Sequence, residues 1–422
     1  MTQGDRVSVL RLSLHDQLLG YLAGYQGGRN TLTFAETFRD NPRRPTFSLV
    51  THPAFPRAGK LLAQPWSTNQ RLPPVLSNLL PEGALREFIA QSLKVHMENE
   101  FEIFSCLAAD LPGALLATAM EPEDIPESVL TENGKRYQAT RPERAQQTHK
   151  FSLAGVQMKF SMKERDGRYN FSQGSGDLGD WIIKTPSTRH RDVPLNEYTA
   201  MSLAALAGVD IPEIRLIELE KLQALPAINL SDEKYAYGIK RFDRQNNIRL
   251  HAEDFAQVLV KYPHEKYNSA SYEQIARILY EFSEDGLADV QQFAKRLLVN
   301  ILLANGDAHL KNWSLIYPDQ VNPRLAPAYD IVSTSVYIER EREFALNLGG
   351  NKDWYRTTLA HFEVWAEKSG VPWRAIKPHI DDVMQKAREQ WPKALQDFPM
   401  SPDHQALLRQ HWRALHSDFR IG

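Results

Sequence analysis

The densest chemistry in the chain lies in Asn305-Gly306-Asp307-Ala308-His309-Leu310-Lys311-Asn312. Asp307 and Asn312 stand in a D-x-x-x-x-N spacing. In phosphoryl transfer that spacing pairs a carboxylate, which accepts a hydroxyl proton, with an amide that ligates magnesium. A second carboxylate, Asp330 in Tyr329-Asp330-Ile331, follows a predicted strand (Trp313–Tyr317) and a proline-containing turn. A divalent ion bridging phosphate oxygens takes hard oxygen ligands from two chain segments, and Asn312 and Asp330 are such a pair. The apolar run Val299–Ala304 would anchor the loop in a core. Taken alone, the spacing also occurs in ordinary turns, so the surrounding elements must decide.

Three further stretches could complete such a site. Phe151-Ser152-Leu153-Ala154-Gly155-Val156-Gln157-Met158-Lys159-Phe160 combines small residues with a hydroxyl, so its backbone N–H groups can approach an anion; a plain β-turn is the competing reading. Trp181–Pro186 is a short apolar strand with Lys184 near its end. A lysine there is costly to bury without an anion. It either holds nucleotide phosphates or snorkels from a strand edge. Asn196-Glu197-Tyr198 opens a helix expected to run to Ala207, with Asn196 as its N-cap. Glu197 either pairs with Lys184 or is a first-turn glutamate favoured by the helix dipole. Finally, Ala236–Phe242 reads as a strand leading into Lys240-Arg241-Phe242-Asp243-Arg244. Its backbone would pass an adenine ring, whereas Arg241, Asp243 and Arg244 could equally be a structural ion-pair cluster.

The elements that must position these groups follow from periodicity. Val7–His15 and Leu18–Leu22 alternate about Asp16-Gln17 as a hairpin, and Asn30–Phe34 and Thr46–Val50 read as further strands. Helices are predicted at Leu76–Lys94, broken near Pro81-Glu82-Gly83, and at Glu100–Ala109, with a strand at Gly113–Thr118. Residues 121–150, polar and carrying Pro122, Pro126 and Pro142, read as a linker. Lys159–Met162 and Arg168–Phe171 form a hairpin about Asp166-Gly167. Helices are expected at Ala252–Lys261, Ala270–Phe282 and Ala288–Leu303. Beyond the loop come a strand at Phe344–Leu348 and helices at Trp354–Lys368, Ala375–Ala387 and Asp403–Phe419. The expected division is an N-terminal subdomain (1–120), a linker (121–150), a small-lobe-like region (151–248) and a helical C-terminal lobe (249–422).

Composition narrows the class. A chain of 422 residues can bury two or three cores. Its net charge of −2 gives no bulk attraction to nucleic acid or membrane, so a DNA role would need a local patch or a partner. The single cysteine, Cys106, excludes an intramolecular disulfide and fits a reducing compartment. It lies in the apolar run Ile103–Leu107, where buried packing is the expectation. No uninterrupted apolar run approaches the roughly 20 residues that span a bilayer. A cytoplasmic location without membrane attachment is expected.

Taken together, Ser152 to Lys159, Ile183-Lys184-Thr185-Pro186, Asn196-Glu197-Tyr198, Lys240 to Arg244, Asp307 to Asn312 and Tyr329-Asp330-Ile331 resemble the HipA family, serine/threonine kinase toxins of bacterial toxin–antitoxin systems. The resemblance extends to the N-terminal β unit and to Asn78-Leu79-Leu80-Pro81-Glu82. It implies an α+β, bilobal protein-kinase-like fold with a β-rich N-terminal subdomain and a mostly helical C-terminal lobe. It implies ATP and Mg2+ as cofactors. Ser152, Ala154, Gly155, Val156 and Gln157 would form the phosphate loop, with Ser152 autophosphorylated as an off-switch. Lys184 would contact ATP phosphates, and the backbone around Lys240 and Phe242 would form the adenine hinge. Asp307 would be the catalytic base, with Lys311 and His309 in the catalytic loop. His309 would steady phosphate or serve the loop's structure. Asn312 and Asp330 would be the magnesium ligands. The implied partners are a HipB-like helix-turn-helix antitoxin, operator DNA mainly through that antitoxin, and an aminoacyl-tRNA synthetase substrate, glutamyl-tRNA synthetase first. Lys240 replaces a glutamate at the hinge, and Val156 and Met158 alter the phosphate loop. A small-molecule kinase of the same superfamily, or an inactive antitoxin-bound DNA scaffold, are the alternatives.

Overall fold

The predicted N-terminal hairpin is present in the computed structural model, which describes residues 6–107, 111–132, 134–142, 157–171, 178–225, 230–245 and 247–422. Arg6–Leu14 pairs antiparallel with Gln17–Tyr25. Arg29–Phe34, Trp66–Asn69 and Leu115–Ala119 extend the sheet on either side. Alternation puts Leu10, Leu12, Leu14, Leu22 and Leu32 inward, where Phe101, Ile103 and Phe104 of helix Glu100–Leu107 cover them. Cys106 falls off that face and is exposed, contrary to the expectation of a buried thiol.

The stretch expected as a linker is partly structured. Gln138–Ala139 pairs parallel with the first strand, and Ile125, Val129 and Leu130 share a small core with Val7, Val9 and Tyr25. The prolines and charges that suggested a linker masked these three apolar anchors. Thr46–Val50 is not a strand. Its backbone is met by groups across the chain instead: Thr46 N–H donates to the Gln320 carbonyl (2.8 Å), and Leu49 N–H to Glu253 Oε1 (2.7 Å). Leu49–Thr51 then forms a 3-10 turn.

A second sheet runs in the order Ile214–Glu218, Tyr235–Lys240, Trp181–Lys184, Lys159–Arg165, Arg168–Phe171, Leu222–Gln223. Helix Val193–Leu206 buries Ala200, Met201, Leu203 and Ala204. It starts earlier than expected: Asp192 is the N-cap, followed by Val193 and Pro194. Asn196 is a turn inside, fully buried, and exchanges two 3.0 Å bonds with the Ser333 backbone. Its amide therefore ties the helix to the other lobe rather than capping it.

The predicted helix at Ala252–Lys261 divides. His251–Asp254 is a strand paired with Ser314–Tyr317, and Asp254 caps the short helix Phe255–Val258 by accepting from Gln257 N–H. The remaining C-terminal part is helical: Tyr272–Phe282, Gly286–Leu302, Leu359–Ser369, Trp373–Asp397 and Pro402–Ala414. These helices enclose one large core around Phe293, Trp354, Trp365, Trp391 and Trp412. Among the described residues, no helix is long and apolar enough to cross a membrane.

Candidate active site

Antiparallel register places Lys184 opposite Lys159 and Tyr237. Lys184 is buried, at 5% exposure. Its ammonium donates to Glu197 Oε1 (2.5 Å) and to Asp330 Oδ1. Burial disfavours the charge, but these two carboxylates overcome it and hold Lys184 above the usual lysine range. Asp330 loses by burial and gains more from Lys159, at 3.5 Å, and from Lys184, so its carboxyl lies well below the usual range. Burial and the Asp330 charge push Glu197 up against the pull of Lys184. Lys184 is thus neither a snorkelling lysine nor an isolated one. It joins the second sheet, helix Val193–Leu206 and the segment carrying Asp330.

The catalytic-loop candidates form a tight local structure. His309 N–H donates to the Asp307 carbonyl (2.7 Å), and Asn312 Nδ2 donates to the same carbonyl (2.7 Å). Asn312 N–H donates to the His309 carbonyl (2.9 Å). The Asp307 carboxylate is 48% exposed, accepts from the Tyr267 hydroxyl and lies 4.0 Å from His309 Nε2. His309 is buried, stacked edge-on by Tyr267 with centroids 5.0 Å apart. Burial lowers its pKa, so it is neutral. Its Nδ1 is buried without a partner.

Asn305 links the two halves of the site. Its Oδ1 accepts from Asp307 N–H (3.1 Å), while its Nδ2 donates to Asn300 Oδ1 (2.7 Å) and reaches the Asp330 carbonyl (3.4 Å). Asp330 itself has φ +54°, a left-handed conformation that aspartate tolerates better than most residues. A pocket of about 10 Å³, room for about one water, lies among Asn305, Asn312, Tyr329 and Asp330.

The other candidates sit as follows. Ser152, Ala154, Gly155 and Val156 lie outside the described residues. Gln157, at the edge of that segment, has a buried Nε2 without a hydrogen-bond partner. Lys240 ends its strand, exposed, 3.7 Å from Glu213, and Phe242 packs against the Tyr329 ring with centroids 5.8 Å apart. Arg241, Asp243 and Arg244 form the ion-pair cluster: buried Asp243 accepts from both guanidiniums at 2.8–2.9 Å and from Gly113 N–H. The Lys311 ammonium is engaged by the Asn78 carbonyl (2.8 Å), Asn78 Oδ1 (3.1 Å), Asp254 Oδ2 (3.2 Å) and Glu82 Oε1 (3.4 Å).

The donor set suits a hard cation. Asn312 and Asp330 offer one amide and one carboxylate oxygen, as magnesium uses when phosphates and waters complete its shell. Among the described residues, no group of three or more His, Cys, Asp or Glu forms a self-sufficient metal cage.

Comparison with known proteins places the chain. Residues 151–391 match the HipA-like C-terminal domain, and residues 10–118 match the HipA N-terminal domain. The chain belongs to the HipA family. A relative in Sinorhizobium fredii, Y4dM, is 37% identical over 406 residues, 94% of each chain. The serine/threonine-protein kinase toxin HipA of Shewanella oneidensis is 21% identical over 400 residues, 85% of each. The solved complex of Shewanella oneidensis HipA, HipB and operator DNA contains a chain that superposes with a TM-score of 0.70 at 19% identity. The match covers 95% of this chain and 94% of that one. The fold is therefore the α+β, bilobal, kinase-like HipA fold, with its β-rich N-terminal part and helical C-terminal part.

Sequence reasoning missed two groups at this HipA-type site. Tyr267, on the Asp307 carboxylate, carries no local signal, because a tyrosine after Lys266 in a polar loop looks like any surface aromatic. Asn78 and Glu82 were singled out as a motif without a role.

Proposed function

We propose that this chain is an ATP-dependent serine/threonine protein kinase and the toxin of a toxin–antitoxin pair. The observation that carries the reading is Lys184, buried and ion-paired to both Glu197 and Asp330 within one site that also holds Asp307 and Asn312. A buried lysine shared between a helix glutamate and a partly exposed aspartate, with its charge strongly favoured, fits a group poised to meet phosphate oxygens.

In this reading the acceptor hydroxyl oxygen bonds to the γ-phosphorus, and the bond to the β,γ-bridging oxygen breaks. The hydroxyl proton passes to the Asp307 carboxylate. Lys184 holds phosphate oxygens, and Glu197 orients Lys184. Neutral His309 would supply a ring nitrogen beside the reacting groups. Asn312 and Asp330 would hold magnesium, which when bound neutralises phosphate charge. The backbone near Lys240 and Phe242 would meet the adenine, and Ala154, Gly155, Val156 and Gln157 would border the phosphates. Ser152 in that loop would be the self-phosphorylated off-switch. The substrate would be an aminoacyl-tRNA synthetase, glutamyl-tRNA synthetase first. The relative whose solved complex contains HipB and operator DNA supports a helix-turn-helix antitoxin as partner, with DNA reached mainly through it.

The test uses purified protein, γ-labelled ATP, magnesium and a bacterial lysate, with Asp307→Asn as control. Label is expected on Ser152 and on one lysate band of synthetase size. The control should lose about 10²–10⁴-fold in rate. It should keep its fold, because the loop bonds run through the Asp307 backbone and its side chain is half exposed. Undiminished labelling by the variant would refute Asp307 as base. No label on either chain or lysate, with ATP still bound, would overturn the kinase reading.

A further inference from the structure

The motif Asn78-Leu79-Leu80-Pro81-Glu82 belongs to the N-terminal subdomain, yet its polar ends meet the catalytic loop. Lys311 immediately precedes Asn312. Its side chain is only 14% exposed, and its ammonium is held by the Asn78 carbonyl, Asn78 Oδ1, Glu82 and Asp254. Asn78 is itself buried and fixed: its Nδ2 donates to the Pro74 carbonyl (2.9 Å) and the Lys261 carbonyl (2.7 Å). Glu82 grips a second point. Its Oε2 accepts from Lys266 Nζ at 2.6 Å, and the Lys266 carbonyl accepts from Leu310 N–H at 3.3 Å. The next residue, Tyr267, donates to the Asp307 carboxylate. Both edges of the catalytic loop are thereby connected to one short stretch of the other subdomain.

We propose that Asn78 and Glu82 are positioning residues for phosphoryl transfer, clamping the Asp307–Asn312 loop through Lys311 and Lys266. The N-terminal subdomain then sets catalytic geometry as well as packing. Burial opposes the charge of Glu82, but Lys311 and Lys266 hold its carboxyl below the usual range, so the clamp is charged at neutral pH. A loop held this way keeps base and metal ligand in register, and a misplacement of about 1 Å at such a site costs about 100-fold in rate. The proposal rests on the kinase reading for its kinetic half only.

The test compares wild type with Glu82→Gln, Asn78→Ala, Lys311→Met and the Asn78→Ala/Lys311→Met double variant. Each single variant should lower kcat about 10–100-fold with the KM for ATP unchanged. The double variant should be no worse than the poorer single one, since both break the same clamp. Amide hydrogen exchange supplies a readout independent of activity. The Leu310 and Asn312 amides should exchange faster in Glu82→Gln, whose charge loss leaves shape intact, while strand Arg6–Leu14 stays unchanged. Unaltered exchange in the loop would overturn the clamp whatever the kinetics, as would additive losses in the double variant. Faster loop exchange in Glu82→Gln, alongside a wild type that transfers no phosphate, would uphold the clamp and sink the kinase reading.

Discussion

Replacing Lys184 by methionine isolates the electrostatics of the site. Methionine fills nearly the same space but removes the cation between Glu197 and Asp330. Glu197 is then left with a 3% exposed side chain, no direct ion pair and only the more distant field of Lys159, while Asp330 keeps Lys159 at 3.5 Å. Removing one partner of a buried pair costs about 3–5 kcal/mol. An independent bound comes from protonating Glu197 instead. From an ordinary glutamate value of 4.5, doing so at pH 7 costs about 3.4 kcal/mol at 1.36 kcal/mol per unit. Both routes give a deficit near 3 kcal/mol at pH 7. The folded variant carries a proton that the unfolded chain lacks, so its Glu197 pKa is raised. Such a group adds stability that is fully present below the unfolded pKa and lost as pH rises through the folded one. The deficit should therefore shrink as pH falls from 7 toward 4.5. Urea unfolding of wild type and variant at pH 7 and 5.5 measures this, and adding Glu197→Gln should restore most of the loss. A deficit below about 1 kcal/mol at pH 7, or one independent of pH, would refute the buried three-membered ion pair.

Two further outcomes follow from strain and burial elsewhere. Val260 ends helix Phe255–Val258 with φ +53°, although it is β-branched and 44% exposed. Since the left-handed conformation costs about 1–2 kcal/mol and glycine gives back about half of that in chain entropy, Val260→Gly should stabilise by about 0.5–1 kcal/mol; a lower urea midpoint would contradict this. Burial pushes Glu253 up to about 7, against the hydrogen bonds it accepts from Tyr317 and Leu49. By the same sign rule its contribution is lost as pH rises from 4.5 to 7, about 1.4 kcal/mol per unit. Glu253→Gln should flatten the stability profile in that window, and an unchanged slope would exclude the assignment.

The local elements of the site were legible because their signals are local. The loop from Asp307 to Asn312 is closed by bonds among its own backbone atoms, and the hairpin of Lys159–Arg165 with Arg168–Phe171, against which the Lys184 strand pairs, follows from alternation and Asp166-Gly167. Ala252–Lys261 was misread because its apolar spacing suits a strand followed by one helical turn as well as a helix. Only pairing with Ser314–Tyr317 decides between them. Asn196 carried a true cap residue type, but Asp192 took the cap and the fold spent Asn196 on Ser333. Thr46–Val50 has strand-forming residues and meets side chains where a strand would meet a ladder.

By itself the sequence determined which reactive groups exist and how near neighbours stand to one another: a carboxylate and an amide in one tight loop, a lysine at a strand end, a glutamate in the next helix. Those relations depend on bond geometry over a few residues. Only the tertiary structure decided which charges neutralise one another. Lys184 meets Asp330 across 146 positions, and Lys266 meets Glu82 across 184. Such pairs form because a buried charge must find a counter-charge wherever packing brings one, and no local spacing encodes that choice.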